Sequence, residues 1–124
     1  TVEAGNDITQ CFSTTPSAIT LVGATRGGGS TNAAWTIVSG DGSLSNLSFL
    51  TNPATVTYTA PAYIPANGNY SIDVVLRLTT DDPSGACPSV FDDRLLFINY
   101  IIGGAITGDQ TICTDGNPSI ISNN

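Results

Sequence analysis

The stretch that most constrains this chain is residues 69–80, where apolar and polar side chains alternate. Tyr70, Ile72, Val74, Leu76 and Leu78 fall on one face, and Ser71, Asp73, Arg77 and Thr79 on the other. Val75 is the only apolar residue on that outer side. Successive side chains of an extended strand point to opposite faces, so this spacing predicts a long strand with one buried face. Asp82-Pro83-Ser84-Gly85 comes next, with Asp, Pro and Gly at the positions a type I turn favours. A second long strand is expected over residues 88–102. Folding it back about the turn sets Arg77 near Asp92 or Asp93 as a cross-strand ion pair.

No stretch has convincing helical periodicity, whereas shorter strands with the same alternation precede this pair. Residues 17–23 place Ile19 and Leu21 inward. Residues 33–38 carry the only tryptophan, Trp35, with Ile37 on its face. Residues 54–59 put Val56 and Tyr58 inward and Thr55, Thr57 and Thr59 outward. Turn signals lie between them, at Gly27-Gly28-Gly29, Ser39-Gly40-Asp41-Gly42, Asn52-Pro53, Pro61, Pro65 and Asn67-Gly68. Short strands with frequent turns predict an all-β antiparallel sandwich of about seven strands. A tryptophan on the third strand is an immunoglobulin-like habit. The expected core is Ile19, Leu21, Trp35, Ile37, Val56, Tyr58, Ile72, Val74, Leu76, Leu78 and Phe97. The chain is 40% hydrophobic and 10% charged, which argues against disorder: much apolar surface seeks burial and little charge opposes it.

A recurrence sets the extent of the folding unit. Ala4-Gly5-Asn6-Asp7-Ile8-Thr9-Gln10-Cys11, then Pro16-Ser17-Ala18-Ile19, is echoed by Thr107-Gly108-Asp109-Gln110-Thr111-Ile112-Cys113, then Pro118-Ser119-Ile120-Ile121. Cys11 to Cys113 is 113 − 11 = 102 positions, and Pro16 to Pro118 is 118 − 16 = 102. A period near one hundred residues is one small domain. Residues 1–104 are therefore expected to be one repeat, and residues 105–124 the first strand and start of the next. Net charge is −7, with three arginines and no lysine, so neither nucleic acid nor an anionic membrane is an expected partner. No stretch approaches the ~20 apolar residues of a membrane span. With no initiator Met and no signal peptide, the chain reads as a piece of a longer secreted protein. Low charge, Thr/Ser/Asn richness and spaced cysteines suit the outside of a cell.

Ala4-Gly5-Asn6-Asp7, Trp35 on the third strand, Val56-Thr57-Tyr58-Thr59-Ala60-Pro61 and the run from Leu76 to Pro88, with Thr79-Thr80-Asp81-Asp82-Pro83 and Cys87-Pro88, together resemble PKD-like repeats. These are immunoglobulin-like domains arrayed in tandem in very large Bacteroidota surface proteins, including gliding-motility adhesins exported by the type IX route. The resemblance covers essentially residues 1–104. Asp109 to Cys113 keeps the commoner Asp-Gln-Thr-Ile-Cys order, from which Asp7 to Cys11 departs. It implies an extracellular structural role, with neighbouring copies of the same repeat as partners, and names no ligand.

Candidate chemistry is sparse. With no histidine, a Ser-His-Asp triad, a Cys-His pair or a His-ligated metal cannot form within the chain. With no lysine, a Walker-type phosphate loop and a Lys–Asn crosslink are excluded. Gly27-Gly28-Gly29 is expected to be an inter-strand loop, since no helix comes after it. Asp81-Asp82 and Asp92-Asp93 are adjacent pairs that point to opposite faces of a strand, so catalysis is not expected. Calcium takes six to eight oxygen ligands, and Asp7, Asp81 and Asp82 could supply some of them; otherwise Asp82 nucleates its turn and Asp81 is solvated. Periodicity favours a Cys11–Cys87 disulfide with Cys113 awaiting a partner in the next repeat, the alternative being free buried thiols. That bridge needs a short or kinked first strand, because an immunoglobulin-like topology puts its ends at opposite poles. Asn46-Leu47-Ser48 and Asn69-Tyr70-Ser71 are glycosylation sequons, and Tyr63 or Tyr100 could stack on a sugar. The expected function is a rigid spacer in a surface filament. Alternatives are a repeat that itself binds polysaccharide or another surface, and an accessory module of a secreted polysaccharide-degrading enzyme.

Overall fold

In the computed structural model, which describes residues 1–62, 71–82, 87–99, 106–107 and 122–123, every element but one is a strand. They are β1 (Val2–Glu3), β2 (Ile8–Cys11), β3 (Ile19–Thr20), β4 (Thr25–Arg26), β5 (Ala33–Ser39), β6 (Ser43–Leu44), β7 (Thr57–Thr59), β8 (Ser71–Thr80), β9 (Phe91–Asn99), β10 (Ile106–Thr107) and β11 (Ser122–Asn123). The exception is a single 3₁₀ turn, Pro53–Thr55, opened by the proline. Strands β2-β9-β8-β5 form one sheet and β3-β7-β6 a second, with β1-β4 a short ribbon beside them. The chain is an all-β sandwich, and its two main sheets hold seven strands among the described residues. A separate two-stranded pair joins β10 to β11.

The alternation over residues 69–80 dictates the longest element. Val74, Leu76 and Leu78 of β8 are fully buried, and Ile72 packs against them. From β5 comes Trp35, fully buried, and its indole Nε1–H donates to the Pro53 carbonyl at 3.0 Å. A buried indole needs such an acceptor, because a lost partner would cost about 1–3 kcal/mol. Leu21, Val56 and Tyr58 close the core from the second sheet. Each fully buried Leu or Val stabilises the fold by roughly 1.5–3 kcal/mol. The β6 turn is built around Gly42 (φ +121°), where any side chain would run into the Tyr58 ring.

Four expectations are corrected. Phe97 is not a core residue: Leu96 and Ile98 are fully buried instead, and Arg94 lies on the same inward face. Pairing fixes this parity, since Val74 faces Leu96 and Ile72 faces Ile98 across the ladder, and opposed residues share a face. Nor is the sandwich wholly antiparallel, because β2 runs parallel to β9 from Ile8↔Leu96 to Cys11↔Asn99. The second long strand is narrower than residues 88–102, beginning at Phe91, and the 17–23 strand contracts to Ile19–Thr20. The turn at Asp82-Pro83-Ser84-Gly85 falls partly outside the described residues.

Candidate functional site

The most heavily built region is where the first segment crosses from the ribbon to the large sheet. Residues 4–11 lie alongside 92–99 at one constant offset of 88 positions. Over β2 the backbone makes that pairing. Before β2, side chains substitute: the Ala4 N–H donates to Asp92 Oδ2 at 2.7 Å, and the Leu95 N–H donates to Asp7 Oδ1 at 2.9 Å. The intervening Gly5 takes φ +87°, a left-handed conformation that glycine adopts without steric cost.

Arg94 braces this crossing from inside. It is only 3% exposed, and its Nη1 donates to the Ala4 carbonyl at 3.3 Å and the Val22 carbonyl at 3.0 Å. Burial pushes the guanidinium below its ordinary value, partly offset by the Asp7 charge. Its Nε has no hydrogen-bond partner. A shallow cleft beside it is lined by Glu3, Gly5, Asn6, Val22, Gly23 and Thr25. Arg94 was not among the residues singled out from sequence. Its signal is the parity of β9, readable once Arg77 is paired with Asp93.

A second cluster sits at the start of β5. Asp81 accepts from Ser30 Oγ at 2.7 Å, Thr31 Oγ1 at 2.7 Å, and the Thr31 and Asn32 N–H groups at 3.1 and 3.0 Å. The Ser30 and Thr31 hydroxyls, with both amides, hold this carboxyl well below the usual carboxylate range. Asp81 thus fastens the β4–β5 loop to the end of β8. The neighbouring triple glycine is the expected loop, and Gly27 exchanges both main-chain hydrogen bonds with Thr1.

These positions correct the calcium expectation. Asp7 sits at Leu95, whereas Asp81 comes directly after Thr80, whose N–H donates to the Val90 carbonyl. Five residues of strand separate the two levels, about 16 Å at the extended rise. One calcium ion gathers its oxygens at roughly 2.3–2.6 Å, so Asp7 and Asp81 cannot share it. The Asp81 oxygens are occupied by donors besides, and Asp82 is exposed without joining them. Among the described residues no three His, Cys, Asp or Glu side chains converge.

The disulfide expectation is corrected as well. Cys11 and Cys87 are both exposed free thiols. Cys11 lies opposite Asn99 at the end of β9, and Cys87 precedes the start of β9, beside Thr1, Gly28, Thr80 and Val90. The eight steps of β9 between those levels span about 26 Å. A disulfide needs Cα atoms roughly 4.4–6.8 Å apart. The kink at Gly5 exists, but it moves β1 to the ribbon and leaves Cys11 at the far pole. Cys113 lies outside the described residues.

On the outer face, Arg77 pairs with Asp93, as the turn geometry predicted. The contact is two-pronged, Nε and Nη2 each reaching a carboxylate oxygen at 2.7 Å. The guanidinium also lies 3.8 Å above the Phe91 ring. Asp93 holds Arg77 above its ordinary value, and Arg77 holds Asp93 below its own. Of the sequons, Asn46 is exposed and its Oδ1 accepts the Ser48 N–H; Asn69, Tyr63 and Tyr100 lie outside the described residues. Searches of family models, curated proteins and solved structures found no match to this chain.

Proposed function

We propose that this chain is a structural spacer, one repeat of a tandem extracellular array of the PKD-like, immunoglobulin-like kind, which holds a distal adhesive part away from the cell. The recurrence of Asp7 to Ile19 at Asp109 to Ile121 carries the reading, because a 102-residue period is the length of one such domain. The chain's polarity supports it. Thr1 sits at the Cys87 pole and Asn99 leaves at the Cys11 pole, so copies joined in sequence would string end to end.

Mechanics supports it further. The first and last strands of the sandwich, β2 and β9, are parallel. Tension between the chain ends would slide these strands past one another and load their hydrogen bonds together, in shear. An antiparallel terminal pair would instead peel open one bond at a time. The reading is tested by pulling single molecules from the two ends and by probing bead-bound protein with polysaccharides. A spacer resists extension and retains no glycan. Saturable glycan binding, or a parent polypeptide in which this unit stands alone beside a catalytic domain, would overturn it.

A further inference from the structure

Resting on the spacer reading, we infer that Cys11 of each repeat forms a disulfide with the Cys87 equivalent of the next repeat along the chain, riveting the junction between copies. Both thiols are exposed, and they occupy opposite poles. Within one copy they cannot meet. Between copies in sequence they come to the same junction. The chain enters at the Cys87 pole, where Thr1 and Cys87 line one cleft, and leaves at the Cys11 pole, where Asn99 pairs with Cys11.

The length of the connection enforces proximity. The 102-residue period places the next copy's first residue at position 103, four positions past Asn99. Four residues reach at most about 14 Å when fully extended. The Cys11 pole of one copy and the Cys87 pole of the next must therefore lie against each other. The receiving pole suits close approach, since its cleft of about 370 Å³ is walled by Gly27, Gly28 and Gly29, which carry no side chains.

The same arrangement accounts for the odd cysteine. Cys113 stands 102 positions beyond Cys11, so the chain holds two thiols of the Cys11 type and one of the Cys87 type. Each Cys11-type thiol looks forward to a partner in the next copy. Bridging needs an oxidant, a small-molecule or protein disulfide. The Cys11 thiolate attacks one of its sulfurs and releases the other as a thiol. The Cys87 thiolate of the next copy then attacks the mixed disulfide. Two electrons and two protons leave the cysteines, and the oxidant becomes two thiols.

The test is a tandem protein in which residues 1–102 are joined directly to the full chain. Strands β1 to β9 all lie within residues 1–99, so the leading copy carries the whole sandwich. After exposure to oxidised glutathione, the tandem is alkylated, digested and mapped by mass spectrometry. The expected product links Cys11 of the leading copy to Cys87 of the trailing copy and leaves the other three thiols alkylated. Cys11→Ser in the leading copy abolishes the link, while Cys11→Ser in the trailing copy leaves it intact. A bridge within one copy, a bridge between like cysteines, or a fully alkylated tandem with the circular dichroism of the single chain would overturn the inference. The full chain alone, bearing Cys113→Ser and mixed as isotope-labelled and unlabelled protein, gives a second measurement. Its Cys11–Cys87 peptides are expected to pair the two isotopes, and pairs of one isotope only would count against it. A parent polypeptide with 102-residue copies and no bridge removes this inference and leaves the spacer reading standing; one without further copies removes the spacer.

Discussion

Replacing Gly5 by alanine is expected to destabilise the sandwich by about 3–4 kcal/mol, and Gly23→Ala by about 1–2 kcal/mol. The two glycines form a matched pair, with φ +87° and +86°. A left-handed conformation costs an L-residue roughly 1–2 kcal/mol, so that part is common to both. They differ in what a Cβ meets. At Gly23 it touches only the Gly5 Cα at 3.6 Å, an ordinary contact. At Gly5 it would stand 3.0 Å from the Val22 carbonyl oxygen and 3.3 Å from Arg94 Nη1. Those two atoms are themselves hydrogen-bonded at 3.0 Å. Forcing them apart weakens a bond from a charged donor, worth roughly 1.5–3 kcal/mol. Urea unfolding of the three proteins, with unchanged slope, reads the difference as a shift in midpoint. In melting temperature, each kcal/mol is worth about 4–8 °C for a domain of this size. Equal losses for the two variants, within about 0.5 kcal/mol, would show that Arg94 does not brace the crossing and that only backbone strain is at stake.

Leu76→Ala removes a fully buried side chain and should cost about 2–5 kcal/mol, whereas Leu95→Ala, on the 37% exposed outer side of β9, should cost no more than about 0.5 kcal/mol; chemical denaturation compares them. Tyr58 is pushed up to about 12 by burial first and by the Asp41 charge second. Its contribution is therefore fully present below about pH 10, where the unfolded phenol titrates, and is lost as pH rises through the folded value. Ultraviolet titration should find one tyrosine ionising late, together with unfolding. Asp81 runs the opposite way: its lowered value supplies stability that is complete above about pH 4 and fades as the pH falls below it. Melting temperature against pH should accordingly drop in acid, and Asp81→Asn should flatten that drop while lowering stability at neutral pH.

Period-two alternation was legible in the sequence, and the described residues that it places inward, from Ile19 to Leu78, lie in or against the core. Alternation over residues 69–80 gave the buried face of β8, and the turn after it gave the Arg77–Asp93 pair. Leu21, Trp35, Val56 and Tyr58 came from the shorter runs in the same way. Strand β9 resists such a reading because its apolar run, Leu95 to Ile98, has no gap to mark a face. Only the ladder to β8 decides, and it turns Leu96 and Ile98 inward and brings Arg94 with them. A charged residue on a core face contradicts local hydropathy, so only the parity that the Arg77–Asp93 pair sets points to it, and its carbonyl partners at positions 4 and 22 then account for its burial. The calcium and disulfide readings failed for a shared reason. Both required residues at well-separated levels along β9 to be near each other, Asp7 at Leu95 and Cys11 at Asn99 against Asp81 and Cys87 before Phe91, and one-dimensional spacing says nothing about the level a residue occupies.

The constant offset of 88 between residues 4–11 and 92–99 explains why the opening motif carries an aspartate. If backbone pairing alone joined the first segment to β9, it would begin at Ile8 and hold four residues. Asp7 extends the contact by taking the Leu95 N–H, and Asp92 extends it again by taking the Ala4 N–H. Arg94 then ties Ala4 to Val22, so the added length is anchored to the second layer and not only to β9. Under tension between the chain ends, the side-chain bonds near Ala4 and the backbone bonds near Cys11 would be strained together, because both resist the same sliding of one strand along the other. A longer shear contact breaks at higher load, and forced unfolding is governed by the barrier to that first rupture. Asp7→Ala should therefore shorten the lifetime under load by more than its effect on equilibrium stability implies, and Asp109, 102 positions on, holds the corresponding place where the motif recurs. Equal proportional changes in the two quantities would mean that rupture begins elsewhere than at the β2–β9 edge.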